Sequence, residues 1–307
     1  MLTANEQPQK LHTAGWFNED QLRRRLRRRT LVDKVVRHTS LLATVFGLLF
    51  LAMILYQVIV QSFGWLNIRF LTGTLSIFPE KAGIYGVIMG SLLLMLVVIP
   101  ITLILGVATA VYLEIYAGKG WIHTAIKTNI ANLAGVPSVI FGLLGLTVFG
   151  RFFGLGSSIL AGGLTLSLLV LPIVVVASEE AIKAVPLFLR DASYALGATR
   201  WTTVWRVVLP TAMPGILTGN ILALSRAIGE TAPLVVLGIP ALILRTPASL
   251  MDDFTALPIQ IYYWTLDTVL TPEYANLAAA TIIVLLLLLF TLNASAILIR
   301  RKFAKRY

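Results

Sequence analysis

The chain has no cysteine among its 307 residues, which excludes disulfides, thiolate metal sites and cysteine nucleophiles. Histidine is nearly absent. His12 and His38 lie in a basic tail and His123 in a short loop, and none has a second ligand at metal spacing. Charge is scarce and lopsided: 13% of residues are charged, with 14 acidic against 25 basic and a net charge of +11. There is no G-x4-G-K-[ST] phosphate loop and no H-E-x2-H helix, so nucleotide hydrolysis and zinc hydrolysis both lack their residues here. What fills the chain is apolar: 57% of residues are hydrophobic and the mean hydropathy is +0.85. A soluble domain of this length could not hide so much apolar surface, so a polytopic membrane protein is expected.

Six apolar stretches are long enough to span: Ser40–Val60, Ile84–Leu113, Ile130–Gly150, Ile159–Ala177, Met213–Gly238 and Asn276–Ile299. Backbone amides in hydrocarbon must be paired within the segment, which demands helices. The unbroken runs lack the alternation of a barrel strand. The first stretch reads as a span and not a removed leader, because no small-x-small cleavage site follows it. The fold class expected is all-α integral membrane with six transmembrane helices. The predicted organisation is a basic tail at 1–39, a six-helix transmembrane domain at 40–299 and a second basic tail at 300–307.

With six spans both termini share one side of the membrane. On that topology every Lys and Arg except Arg69, Lys81, Arg151, Arg226 and Arg245 falls on the side of the termini. This is the positive-inside pattern, which puts both tails in the cytoplasm. It accounts for the basic balance without nucleic acid. Arg23-Arg24-Arg25 and Arg27-Arg28-Arg29 read as a topology signal that also rests on anionic lipid. Gly86-x3-Gly90 and Gly215-x3-Gly219 have the spacing of close helix packing. Pro100, Pro137, Pro172 and Pro233 predict kinked helices. The segment around Tyr262-Tyr263-Trp264 reads as a short helix at the outer interface, or as a contact surface for an external partner.

The longest polar segment between two spans is Ser178–Pro210. Ala192, Ser193 and Ala195 are small enough to admit a close neighbour. Gly197 can end their helix in a left-handed turn. Trp201 and Trp205, four apart and flanked by Arg200 and Arg206, suit a second short helix at the membrane surface. Pro210 is expected to break that helix before the fifth span. Asp191-Ala192-Ser193, then Gly197, then Val207-x-Leu209-Pro210 resembles the EAA loop of ABC-importer permeases, E-A-A-x3-G-x9-I-x-L-P. Asp, Ser and Val stand as conservative replacements. The resemblance implies that this loop, 178–210, docks a cytoplasmic ATPase, and the charge pattern independently puts it on the cytoplasmic side.

Arg226 and Glu230 lie in the middle of the fifth span. A charge there costs about 2.5–3.5 kcal/mol on insertion scales, so it marks a functional candidate. Gly215, Gly219, Arg226, Glu230 and Pro233 fall within an arc of about 60° on a continuous helix, and Pro233 should leave the Gly229 carbonyl without its helical donor. Two readings stand: a structural ion pair between helices or subunits, or an anion site whose guanidinium takes a tetrahedral oxyanion in two hydrogen bonds.

The run TGNILALSRAIGETAPLV (218–235), with YLEIYAGKG (112–120) and AGVPSVIFGL (134–143), is similar to the PstA-type permease subunits of phosphate-specific ABC importers. The likeness runs from about Tyr85 to the C-terminus. It implies the MetI-like helical fold in a bacterial cytoplasmic (inner) membrane. It further implies pairing with a second, homologous permease, a cytoplasmic ATPase dimer and an external phosphate-binding protein, and no cofactor. It also implies that Arg226 and Glu230 belong to the phosphate pathway. The expected role is therefore a transport subunit and not an enzyme. Another oxyanion (sulfate, molybdate, a phosphonate) or a scaffold in phosphate signalling are the alternatives. An intramembrane enzyme lacks a nucleophile with its base, and no second carboxylate accompanies Glu230 at mid-span.

Overall fold

The computed structural model describes residues 19–303 apart from Lys119 and Leu244, with side chains from residue 28 to residue 302. His12, Lys305 and the other expectations for 1–18 and 304–307 lie outside the described residues, as do the side chains of Arg23–Arg27. Among the described residues every regular element is helical, and Ser158 and Asp253 form an isolated bridge.

The chain divides into two compact units, residues 1–57 and 58–307. Most of the first is α1 (Glu19–Ser62), a helix free of proline. The basic stretch before residue 40 is helical from Glu19 because Arg, Leu, Lys and Gln are good helix formers. The large apolar side chains of its membrane stretch are exposed.

The second unit begins with α2 (Ile68–Thr72), whose first turn is capped by Asn67 Oδ1 accepting from the Phe70 amide at 2.8 Å. Then come α3 (Tyr85–Val111), α4 (Trp121–Leu133), α5 (Ser138–Leu144), which a π-helical stretch extends to Phe152, and α6 (Ile159–Lys183). After them lie α7 (Leu187–Ala195), α8 (Arg200–Thr203), α9 (Leu209–Ile228), α10 (Ala232–Leu237), α11 (Leu257–Asp267) and α12 (Tyr274–Phe303). Among the described residues five helices are long and apolar enough to cross a membrane, and the pair formed by α4 with α5 and its extension makes a sixth span if counted as one.

Two of the six predicted spans differ from the expectation. The third does not run straight through Ile130–Gly150: α4 meets the α5 stretch at 104°. Pro137 lacks an amide proton and pushes Val136 out of the helical region, and Gly135 adds freedom, so the helix cannot continue. The fifth does not run unbroken to Gly238. It ends at Ile228 and restarts at Ala232, with Pro233 in the first turn of α10, where no backbone donor is needed. The Gly229 carbonyl thus lies past the end of α9, and it lacks a helical donor because the helix stops there and not because Pro233 interrupts it.

The core is built on α3 and α6. Gly106 admits Val174 and Gly163 admits Val97, at approaches any added side chain would block. Gly215 and Gly219 seat α9 on Ala181 and Ala177 of α6, the close packing their spacing predicts. The Gly86/Gly90 pair does something else. Gly90 receives the backbone of Thr255, and Gly86 lies near Thr246, so this face packs a connecting loop and not a helix. In the same loop Phe254 is fully buried and fills the space that Gly162 leaves open. Trp264 is turned inward as well, between the rings of Phe70 and Tyr274 at 6.3 and 6.4 Å. It therefore belongs to the core and offers no partner-facing surface, although α11 forms as expected.

Candidate transport site and coupling loop

The polar loop after α6 folds as two short helices around Gly197. Gly197 has φ +81°. Its amide donates to the Tyr194 carbonyl at 2.9 Å and the Ala198 amide donates to the Ser193 carbonyl at 3.2 Å. That pair of bonds is the Schellman closure, which a glycine makes without steric cost. Thr199 then caps α8, its hydroxyl accepting from the Thr202 amide at 3.2 Å. The Ser193 and Thr203 hydroxyls, 2.9 Å apart, tie the two helices together.

No residue of α7 is buried. Leu187, Phe188 and Leu196 stand out of the fold as an apolar knob, with Asp191 and Ala192 exposed beside them. Leu209 turns the other way, into a cluster with Ala110, Ile182, Val185 and Val208. Val207 is half-buried and Pro210 exposed. Pro210 does not break the helix. The chain stays helical from Arg200 to Ile228, and a π-helical turn at Val204–Val208 precedes the proline. The widened turn absorbs the missing amide donor, a local adjustment by which membrane helices carry proline.

Arg226 lies in the last turn of α9, and Glu230 lies beyond the helix end, in the break before α10. Arg226 Nε donates to Glu230 Oε1 at 3.1 Å; the Arg226 side chain is 52% exposed and that of Glu230 16%. The structure thus brings these two predicted residues together, but not as part of one polar stripe. Gly215 and Gly219 are used up against α6, Leu222 is exposed, and Pro233 is buried against Gly142 of α5, where a side chain in place of the glycine would clash. Immediately before Arg226, the Ser225 hydroxyl donates to Asn293 Oδ1 of α12 at 2.8 Å. The guanidinium keeps most of its donors free, held by one carboxylate oxygen at a helix terminus. That arrangement suits transient anion contact. No group of three or more acidic or histidine side chains that could hold a metal occurs among the described residues.

Sequence reasoning missed a second charged cluster. Glu179, with a side chain only 5% exposed, accepts from Lys127 of α4 and pairs with Lys183 at 2.9 Å; Lys183 also reaches Glu180 at 2.8 Å. The i,i+4 spacing of Glu179 and Lys183 was visible, but Lys127 is 52 residues away and only packing brings it in. At the opposite end of α6, Asp252 Oδ2 accepts from the Ala248 and Ser249 amides, each at 2.9 Å. Those two amides hold its carboxyl below the usual aspartate range.

Comparison with known proteins identifies the family and the fold. Residues 102–307 match the family model described as binding-protein-dependent transport system inner membrane component. The phosphate transport system permease protein PstA 1 of Mycobacterium tuberculosis is 38% identical over 236 residues, covering 73% of each chain. The permease protein PstA of Yersinia pestis is 31% identical over 280 residues, covering 89% of this chain and 90% of its own. Among solved structures, a bacterial alginate ABC transporter chain superposes with a TM-score of 0.60 at 16% identity, over 90% of this chain and 98% of its own. A chain of the inward-facing MetNI methionine ABC transporter does so with a TM-score of 0.57 at 17% identity, over 75% and 98%.

Proposed function

The chain belongs to the family of binding-protein-dependent transport system inner membrane components, and from that premise we propose that it imports phosphate, past Arg226, on a stroke received through α7. It is a multi-pass membrane subunit of an ABC importer and not an enzyme; the ATPase is a partner. The observation that carries the substrate is the likeness to phosphate permeases over nearly the whole chain. The site chemistry is consistent with it, since a half-exposed guanidinium can offer two parallel donors to a tetrahedral oxyanion. Glu230 then serves as the resting partner that holds Arg226 between substrates.

In this reading α7 and the Gly197 turn form the knob that an ATPase dimer grips. Asp191, Ala192 and Ser193 line its helix, and Val207, Leu209 and Pro210 root it in the span. The exposed apolar side chains Leu187, Phe188 and Leu196 favour such a contact, because a surface left apolar costs solvation until a partner covers it. A second, homologous permease completes the pathway, and an external phosphate-binding protein delivers the anion to the side away from α7. Both termini then lie in the cytoplasm, in agreement with the positive-inside pattern. The test is a reconstituted importer supplied with the binding protein and, in turn, phosphate, sulfate, molybdate and a phosphonate. Phosphate should stimulate hydrolysis and uptake most. Stronger stimulation by another oxyanion would refute the substrate, and hydrolysis without any uptake would favour a signalling scaffold.

A further inference from the structure

The Glu179 cluster lies between two regions that a transport cycle must connect. On one side is α7. Arg190 of α7 donates from Nη2 to the Ile182 carbonyl at 2.6 Å and so grips the last turn of α6. On the other side is α4, which contributes no buried side chain. Little apolar area is lost from water to hold it in place. The polar tie that fixes α4 to the bundle among the described residues is Lys127 to Glu179. From α4 the chain turns through 104° into α5, and Gly142 of α5 lies against Pro233 of α10, three residues beyond Glu230. A continuous physical path therefore runs from the coupling loop through α6, Glu179, α4 and α5 to the break that holds Arg226 and Glu230.

We propose that Glu179 is a positioning residue of the transport cycle: by bridging Lys183 of α6 and Lys127 of α4, it carries displacement of the coupling loop into the bent span. The inference rests on the importer reading above. Removing Lys127 alone is the informative change, because Lys183 still neutralises Glu179 and no carboxylate is left buried and unpaired, the usual cause of collapse when a buried pair is broken. A packing role and a coupling role then part company. Packing governs how much complex assembles; coupling governs how much phosphate moves per ATP hydrolysed.

The experiment is the assembled importer in proteoliposomes, with phosphate uptake and ATP hydrolysis measured on the same vesicles. Lys127→Met should assemble to the wild-type level and keep hydrolysing ATP, while phosphate moved per ATP falls about tenfold, within the usual range of coupling between sites. Lys127→Arg, which retains charge and reach, should keep the ratio near wild type. An unchanged ratio in Lys127→Met, whether activity is normal or lost in equal proportion, overturns the proposal. Failure of Lys127→Met to assemble, or loss of the ratio in Lys127→Arg, does so too: the first makes the bridge a staple and the second makes its charge irrelevant. The wild-type arm separates the two readings. A wild type that responds to another oxyanion refutes phosphate as substrate, and the ratio is then scored with that anion.

Discussion

The double substitution Arg226→Gln with Glu230→Gln separates an anion site from an ion pair that only packs helices. Arg226→Gln alone does not, since it leaves Glu230 without its partner in a mostly buried position, and either role predicts damage. Removing both charges leaves amides of similar size that can still hydrogen-bond. The structural worth of the pair is small. The Arg226 side chain is 52% exposed and the single bond is 3.1 Å long, so after discounting for screening the pair contributes about 0–1 kcal/mol. Assembly of the double variant should accordingly be near normal. Transport should not recover. Two charge-assisted hydrogen bonds to the anion, at about 1.5–3 kcal/mol each, are missing. At tenfold per 1.4 kcal/mol that is a loss of about 10²- to 10⁴-fold. Arg226→Lys should also transport poorly, because the charge survives without the two-pronged geometry. The assay is radiolabelled phosphate uptake normalised to assembled complex. Near-normal uptake by the double variant would refute the anion-site argument and leave Arg226 a packing residue.

Other consequences can be checked as directly. Gly197→Val forces a β-branched residue to φ +81° at a cost of about 1–3 kcal/mol. Nothing lies within 4 Å of the added Cβ, so the damage should be confined to the turn: ATPase association and uptake fall while membrane insertion persists, and Gly197→Asn, which tolerates that φ, should keep most activity. Normal association in Gly197→Val would remove this turn from the docking knob. Because the chain has no cysteine, single cysteines report topology: those at Thr199 and Lys305 should label only from the cytoplasm and one at Ser249 only from outside, and external labelling at Thr199 would rule out ATPase docking. The lowered pKa of Asp252 makes its turn more stable when ionised. That contribution is present above the ordinary aspartate value of about 3.9 and is lost as pH falls through the lowered value. The protection factors of the Ala248 and Ser249 amides, with the intrinsic pH dependence of exchange divided out, should therefore fall in acid, and Asp252→Asn should abolish the change; pH-independent protection would refute it.

Much of this protein was determined by local sequence. Span positions follow from hydropathy summed over about 20 residues, which no tertiary contact needs to supply. The Gly197 closure was legible because turn chemistry is local: a helix of small residues followed by glycine has few other ways to end. The proximity of Arg226 and Glu230 was legible for the same reason, although the helix was expected to continue through them. Tertiary structure decided the rest. Proline flags a disturbance without fixing its size: Pro137 turns a span through 104°, Pro210 leaves its helix continuous and Pro233 starts a new one. Gly90 reads like a helix-packing glycine, yet its partner is the Thr255 backbone, from a loop 165 residues further along the chain. Lys127 and Glu179 are unremarkable loop-end charges in sequence. Only the packing of α4 on α6 takes the carboxylate out of water and gives it the lysine that makes burial tolerable.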